Sequence, residues 1–235
     1  MNKARITSLI VPVSFLVLLG CSHGIKGSGS SVSRGAVNNG SLENGRRFPR
    51  TGENYKYFSR SRMGRAWVHE DVLAVTLEAY ETMQEKFPEK KFLLMECSHK
   101  EGGKLWPHRT HQNGTSIDFG TPLLKKGQHY RKHHGFGIAH YLMKFNEKGV
   151  SAYNKRVEID FELMAQHILA LEESARKRGM YIKKVIFKID LKDDFFETNS
   201  GKIVKRKNIY FARSLPKLID NLHDDHYHVD FGWLK

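Results

Sequence analysis

Two short stretches concentrate the side chains that could bind a cation. One runs Trp106-Pro107-His108-Arg109-Thr110-His111-Gln112-Asn113-Gly114-Thr115-Ser116-Ile117-Asp118-Phe119, the other His223-Asp224-Asp225-His226-Tyr227-His228-Val229-Asp230-Phe231. Imidazole nitrogens and carboxylate oxygens are donors that borderline metals such as zinc prefer. In a chain of 235 residues with 13 histidines, His-x6-Asp alone is expected about 0.5 times by chance and decides nothing. The longer patterns His-x2-His-x6-Asp and His-x2-His-x-His are each expected only about 0.03 to 0.04 times, and both occur. Residues two apart on a strand share a face, so His226 and His228 would point into one cleft. Asp118 lies in the alternating segment 116–119, a candidate strand near the last one, and Gly114 suggests a bend between it and His111. Three protein ligands from two segments would leave a fourth tetrahedral corner for water, the pattern of a catalytic zinc site.

The elements that must hold these groups follow from periodicity. From Glu70 to Phe87, Val72, Leu73, Val75, Leu77, Tyr80, Met83 and Phe87 recur mostly three or four apart, which predicts an amphipathic helix closed by Pro88. Residues 91–97 read as a buried strand. Residues 160–178 read as a second helix, with Phe161, Met164, Ile168 and Leu171 on one side and Gly179 as its stop. Residues 181–191 alternate imperfectly and read as a strand, and 227–233 as a short final strand. There is no βαβ series and no glycine-rich nucleotide loop, so the expected class is α+β, a small, mainly antiparallel sheet flanked by helices.

The start of the chain reads as an export segment. Lys3 and Arg5 precede an apolar run from Ile6 to Leu19, too short to cross a bilayer comfortably. Leu18-Leu19-Gly20-Cys21 looks like a lipobox, with cleavage before Cys21 and a lipid on its sulfur. Ser22 in place of Asp favours the outer membrane by the enterobacterial sorting rule. The expected organisation is a signal peptide over 1–20, a Gly/Ser/Asn-rich flexible tether over 21–45 and one domain over 46–235. With Cys21 lipidated, Cys97 is left alone in an apolar run and reads as a core residue. The net charge of +14 suggests a polyanionic partner. Export argues against nucleic acid and for anionic wall polymers or lipid headgroups. His129, His133, His134 and His140, among Lys125, Lys126, Arg131 and Lys132, have no matching carboxylate and read as an exposed basic loop over 125–134 and beyond.

The two histidine clusters resemble those of the penicillin-insensitive murein endopeptidases, of the wider lysostaphin and D-Ala-D-Ala metallopeptidase group. The resemblance rests on His108-Arg109-Thr110-His111-Gln112 with His223-Asp224-Asp225-His226-Tyr227-His228-Val229. Weaker similarity extends to residues 40–45 and 65–69. It implies a fold like that of Hedgehog and DD-peptidase domains and a periplasmic enzyme cutting peptide cross-links between peptidoglycan stem peptides. It further implies one zinc ion held by His111, Asp118 and His228, with His226 as the nearby histidine that stabilises or shuttles protons, and His108 and His223 lining the site. Asp225 could orient an imidazole from behind. Alternatives are a D-Ala-D-Ala carboxypeptidase or dipeptidase with the same metal set, or a non-catalytic wall-binding lipoprotein. The chain departs from the family in having no disulfides, in its lipobox and basic 125–134 region, and in carrying Asp230 where the family often has arginine.

Overall fold

A computed structural model describes residues 29–58 and 63–235. The expected signal peptide and Cys21 lie outside the described residues. The described residues open with three short strands, β1 (Val32–Ala36), β2 (Asn39–Glu43) and β3 (Arg46–Arg47), then β4 (Tyr55–Tyr57), β5 (Trp67–Val68), helix α1 (Glu70–Lys86) and β6 (Phe92–Leu94). After a long loop come β7 (Ser116–Gly120), β8 (Leu123–Lys125), β9 (Gln128–Tyr130), β10 (Val157–Ile159), α2 (Phe161–Lys177) and β11 (Met180–Ile186). Three short helices, α3 (Lys192–Glu197), α4 (Asn199–Arg206) and α5 (Lys217–Asp220), precede the last strand, β12 (His226–Trp233). The central sheet has the order β11-β12-β7-β6-β4 and is antiparallel throughout except for the parallel pair β4 and β6. The class is α+β, as the element order predicts.

Alternation along β7 and β12 divides the sheet into two chemically different faces. Ile117 and Phe119 on β7, with Tyr227, Val229 and Phe231 on β12, are buried apolar residues of the core. Helices α1 and α2 pack on each other and supply the cover. The Phe119 ring lies 6.4 Å from Tyr80 of α1 and 4.9 Å from His167 of α2, and stacks at 5.5 Å on Tyr227. Such aromatic pairs bury large area and add directional contacts. The intervening residues Ser116, Asp118, Gly120, His226, His228 and Asp230 therefore share the opposite face.

The two long helices fall where periodicity puts them. Helix α1 is capped by His69, whose Nδ1 accepts the Asp71 amide at 3.2 Å, and stops at Phe87 before Pro88. Helix α2 is capped by Asp160, whose Oδ1 accepts the Leu163 amide at 3.0 Å, and ends at Gly179 with φ +67°, a left-handed turn that glycine takes without strain. Two strands are shorter than expected. The strand read over 91–97 is regular only at Phe92–Leu94, although Met95 and Glu96 still exchange backbone bonds with Asp118 at 2.8 and 2.9 Å. The strand read over 181–191 ends at Ile186, and Ile189–Leu191 is a 3-10 turn. A register shift between Ile182 and Lys184 is a bulge, which is why alternation there is imperfect.

Two expectations are corrected. The tether over 21–45 does not run that far: β1 and β2 pair as an antiparallel hairpin from Val32 to Glu43. Leu42 is buried, and the hairpin bonds to the loop before β7 through Leu42 N to Glu101 O (2.9 Å), Gln112 N to Val37 O (3.0 Å) and the Ser33 hydroxyl to Asn113 O (2.8 Å). Its small polar composition suits close packing as well as flexibility. The 125–134 region is likewise not a uniformly exposed loop. Lys126, Arg131 and Lys132 are exposed, but β8 and β9 form a hairpin, and His133 and His140 are buried, stacked 5.5 Å apart. Cys97 is a buried free thiol, as expected. Among the described residues, no helix is long and apolar enough to cross a membrane.

Candidate metal centre

Strand register brings the downstream cluster onto the upstream one. His226 pairs with Gly120, His228 with Asp118 and Asp230 with Ser116. His111 arrives from the loop before β7 with φ +66°, a left-handed backbone that costs a residue other than glycine about 1–3 kcal/mol. Ser98 locks that turn: its hydroxyl donates to the His111 carbonyl and accepts the Gly114 amide at 3.0 Å. Gly114, at φ +77°, has no room for a side chain, since a Cβ would lie 2.8 Å from Leu42 and 3.0 Å from the His69 amide nitrogen.

Asp118 is wedged between imidazoles. Its Oδ1 lies 2.8 Å from His228 Nδ1 and 3.2 Å from His111 Nε2, and those two nitrogens are 3.1 Å apart. The three donors form a nearly equilateral triangle. A tetrahedral zinc with bonds of roughly 2.0 Å has ligand–ligand edges of about 3.3 Å, so this triangle could seat such an ion. Asp118 Oδ2 is buried without a hydrogen-bond partner, an arrangement that ordinarily costs about 1–3 kcal/mol and that a cation would relieve. His108 Nδ1 is 3.6 Å from that oxygen, and His108, His111 and Asp118 present donors within 4.8 Å of one another. The residues present thus fit a borderline divalent cation.

The local field is strong. Burial alone would raise the Asp118 pKa, but His111 and His228 hold its carboxyl well below the usual range. Burial opposes charge on His228, yet Asp230 and Asp118 push its pKa up. Burial lowers His108 to about 3, only partly opposed by Asp118, and His223 to about 3. His226 moves the other way: despite burial, the Asp225 carboxylate, with Oδ1 2.6 Å from His226 Nδ1, raises its pKa.

The expected site residues converge, but not in identical roles. His111, Asp118 and His228 meet at one point. His108, His223 and His226 line a cavity of about 440 Å³ beside it, whose remaining wall includes Leu142, Ile219 and Leu222. His223 Nδ1 is 2.6 Å from the Ile219 carbonyl oxygen, and its ring is 4.8 Å from His226. Asp225 contacts His226, while Asp224 is turned away, buried against Lys144 at 3.0 Å and Lys188 at 3.8 Å. Trp106 is 83% exposed beside the cavity residue Pro107, so it does not pack in the core.

Sequence reasoning missed three neighbours. Asp230, noted only as a departure, contacts His228 Nε2 at 2.6 Å; its place two residues along the same strand was the available signal. Tyr141 lines the cavity 6.0 Å from the His226 ring, and its hydroxyl donates to buried Glu96 at 3.0 Å. His140 Nε2 is 3.2 Å from the Asp225 carbonyl oxygen. Nothing local in sequence announces Tyr141 or His140, which reach the site only through tertiary packing.

A family profile described as penicillin-insensitive murein endopeptidase matches residues 33–231. No curated protein matches the chain.

Proposed function

The chain belongs to the penicillin-insensitive murein endopeptidase family, and from that premise we propose that it is a zinc-dependent enzyme hydrolysing peptide cross-links in peptidoglycan. Membership makes it a peptidase of the cell envelope with peptidoglycan as substrate. In our reading zinc is held by His111, Asp118 and His228, with His108 and His223 lining the cleft. The observation that supports this most is the Asp118 carboxylate, buried between two imidazoles at 2.8 and 3.2 Å with its second oxygen unpartnered.

When bound, zinc supplies Lewis-acid polarisation of the scissile carbonyl and of the attacking water. The chain's own residues do the rest. The cleft beside His108, His223 and His226 receives the peptide, and its apolar wall of Leu142, Ile219 and Leu222 displaces water from it. His226 is held by Asp225 through Nδ1 at 2.6 Å, which leaves Nε2 for the substrate. The same carboxylate favours the protonated ring. Water oxygen bonds to the carbonyl carbon, giving up a proton to solvent, and as the C–N bond breaks Nε2 delivers its own proton to the leaving amine. We further propose that residues 1–20 are a signal peptide and that a lipid on Cys21 tethers the domain to the membrane, the outer one by the Ser22 rule.

Digestion of purified peptidoglycan, with and without a chelator, tests the enzyme reading by product mass. Cross-linked dimers should become monomers, and chelator should stop this. Loss of a terminal alanine alone would indicate a carboxypeptidase, and no release at all a binding protein.

A further inference from the structure

A neutral imidazole has one N–H and one lone pair, so a cation can use only the nitrogen that lacks the proton. His228 stands between two carboxylates that compete for that proton. Asp118 Oδ1 is 2.8 Å from Nδ1, and Asp230 Oδ1 is 2.6 Å from Nε2. If the proton went to Asp118, Nδ1 would be lost as a donor and the triangle with His111 would fail.

Asp230 is built to win that competition. It is 1% exposed, and strand register places a partner on each side of it. On β7, Ser116 pairs with it and donates its hydroxyl to Asp230 Oδ1 at 2.7 Å. On β11, the bulge after Ile182 brings Lys184 opposite it, with Nζ 3.1 Å from Oδ2. The carboxylate is thus fixed in orientation and aimed at the nitrogen facing away from Asp118.

We infer that Asp230 is a positioning residue for the metal centre, holding His228 as the Nε2–H tautomer so that Nδ1 points its lone pair between His111 and Asp118. This rests on the reading that the centre holds a metal. Carboxylates behind metal-binding histidines set tautomer and basicity, and losing one typically costs 10–100-fold in metal affinity.

The test is zinc affinity of the full chain, by competition with a chromophoric chelator, for wild type and Asp230→Asn. The asparagine keeps the shape but loses the charge that captures the proton. Affinity should fall about 10–100-fold, while the metal-free variant keeps its circular dichroism spectrum. A folded variant that binds zinc as tightly as wild type overturns the inference and leaves the metal reading standing. A wild-type chain that binds no zinc overturns both. Long-range 1H–15N correlation of His228 in zinc-loaded wild type needs no variant. A proton on Nε2 is expected, and a proton on Nδ1 overturns the inference even if Asp230→Asn does not fold.

Discussion

His111 and His226 are both buried imidazoles, the first against Asp118 and His228 and the second lining the cavity beside them, and their surroundings prepare them for different tasks. His111 sits on a left-handed backbone that few residues other than glycine and asparagine accept. His111→Asn is therefore the informative substitution: the turn should survive while the metal donor goes. Activity should fall more than about 100-fold, beyond the loss from an outer partner, and bound zinc should fall with it. His226 has no place in the donor triangle and is tied to Asp225 instead. His226→Gln should lower the turnover rate by about 10²–10⁴, the usual worth of a general acid, yet leave one zinc per chain by elemental analysis. Equal zinc loss in the two variants would defeat this division of labour.

At the scale of elements, the pairing of β7 with β12 carries the site, because slipping it by one residue would turn Asp118 or His228 into the core. What holds the register is the helix-facing side, where His167 of α2 is enclosed by Tyr80, Phe92, Phe119 and Tyr227. Burial lowers the His167 pKa to about 3, against about 6.5 in an unfolded chain. Between those values the unfolded state binds the extra proton, so stability is retained above about pH 6.5 and lost as pH falls toward 3, at about 1.4 kcal/mol per unit for this group. His133, His134 and His223, also lowered by burial, act in the same direction. Urea unfolding between about pH 7 and pH 4 should therefore show a shallower loss of stability in His167→Leu than in wild type. Parallel profiles would remove His167 from this account.

For the whole molecule, the decisive matter is where the folded unit starts. The hairpin of β1 and β2 is bonded to Gln112 and Asn113, directly after His111, so it braces the loop that carries His111. A chain beginning at Arg46 should lose that brace and the burial of Leu42 and melt roughly 5–15 °C lower, with activity reduced. A chain beginning at Gly29 should match the full-length chain in both respects. Equal melting of the two truncations would make the hairpin dispensable. The proposed lipid anchor at Cys21 is tested separately: fatty-acid label should enter the wild-type chain in cells and be absent from Cys21→Ser.

Local spacing was enough to find α1, α2, the final strand and the two histidine clusters that the fold brings together, since periodicity and side-chain chemistry are written in neighbouring positions. Local composition misled at 32–43, where small polar residues serve tight packing, and at His133, whose basic neighbours concealed its burial. Which histidine nitrogen faces Asp118, which carboxylate stands behind His228, and that Tyr141 and His140 reach the site were decided only in three dimensions. These depend on register between strands more than 100 residues apart, on a bulge that swings Lys184 into line, and on loops packed across the sheet. Such contacts form between groups that sequence leaves far apart, and hydrogen-bond geometry selects among them only once the chain has closed.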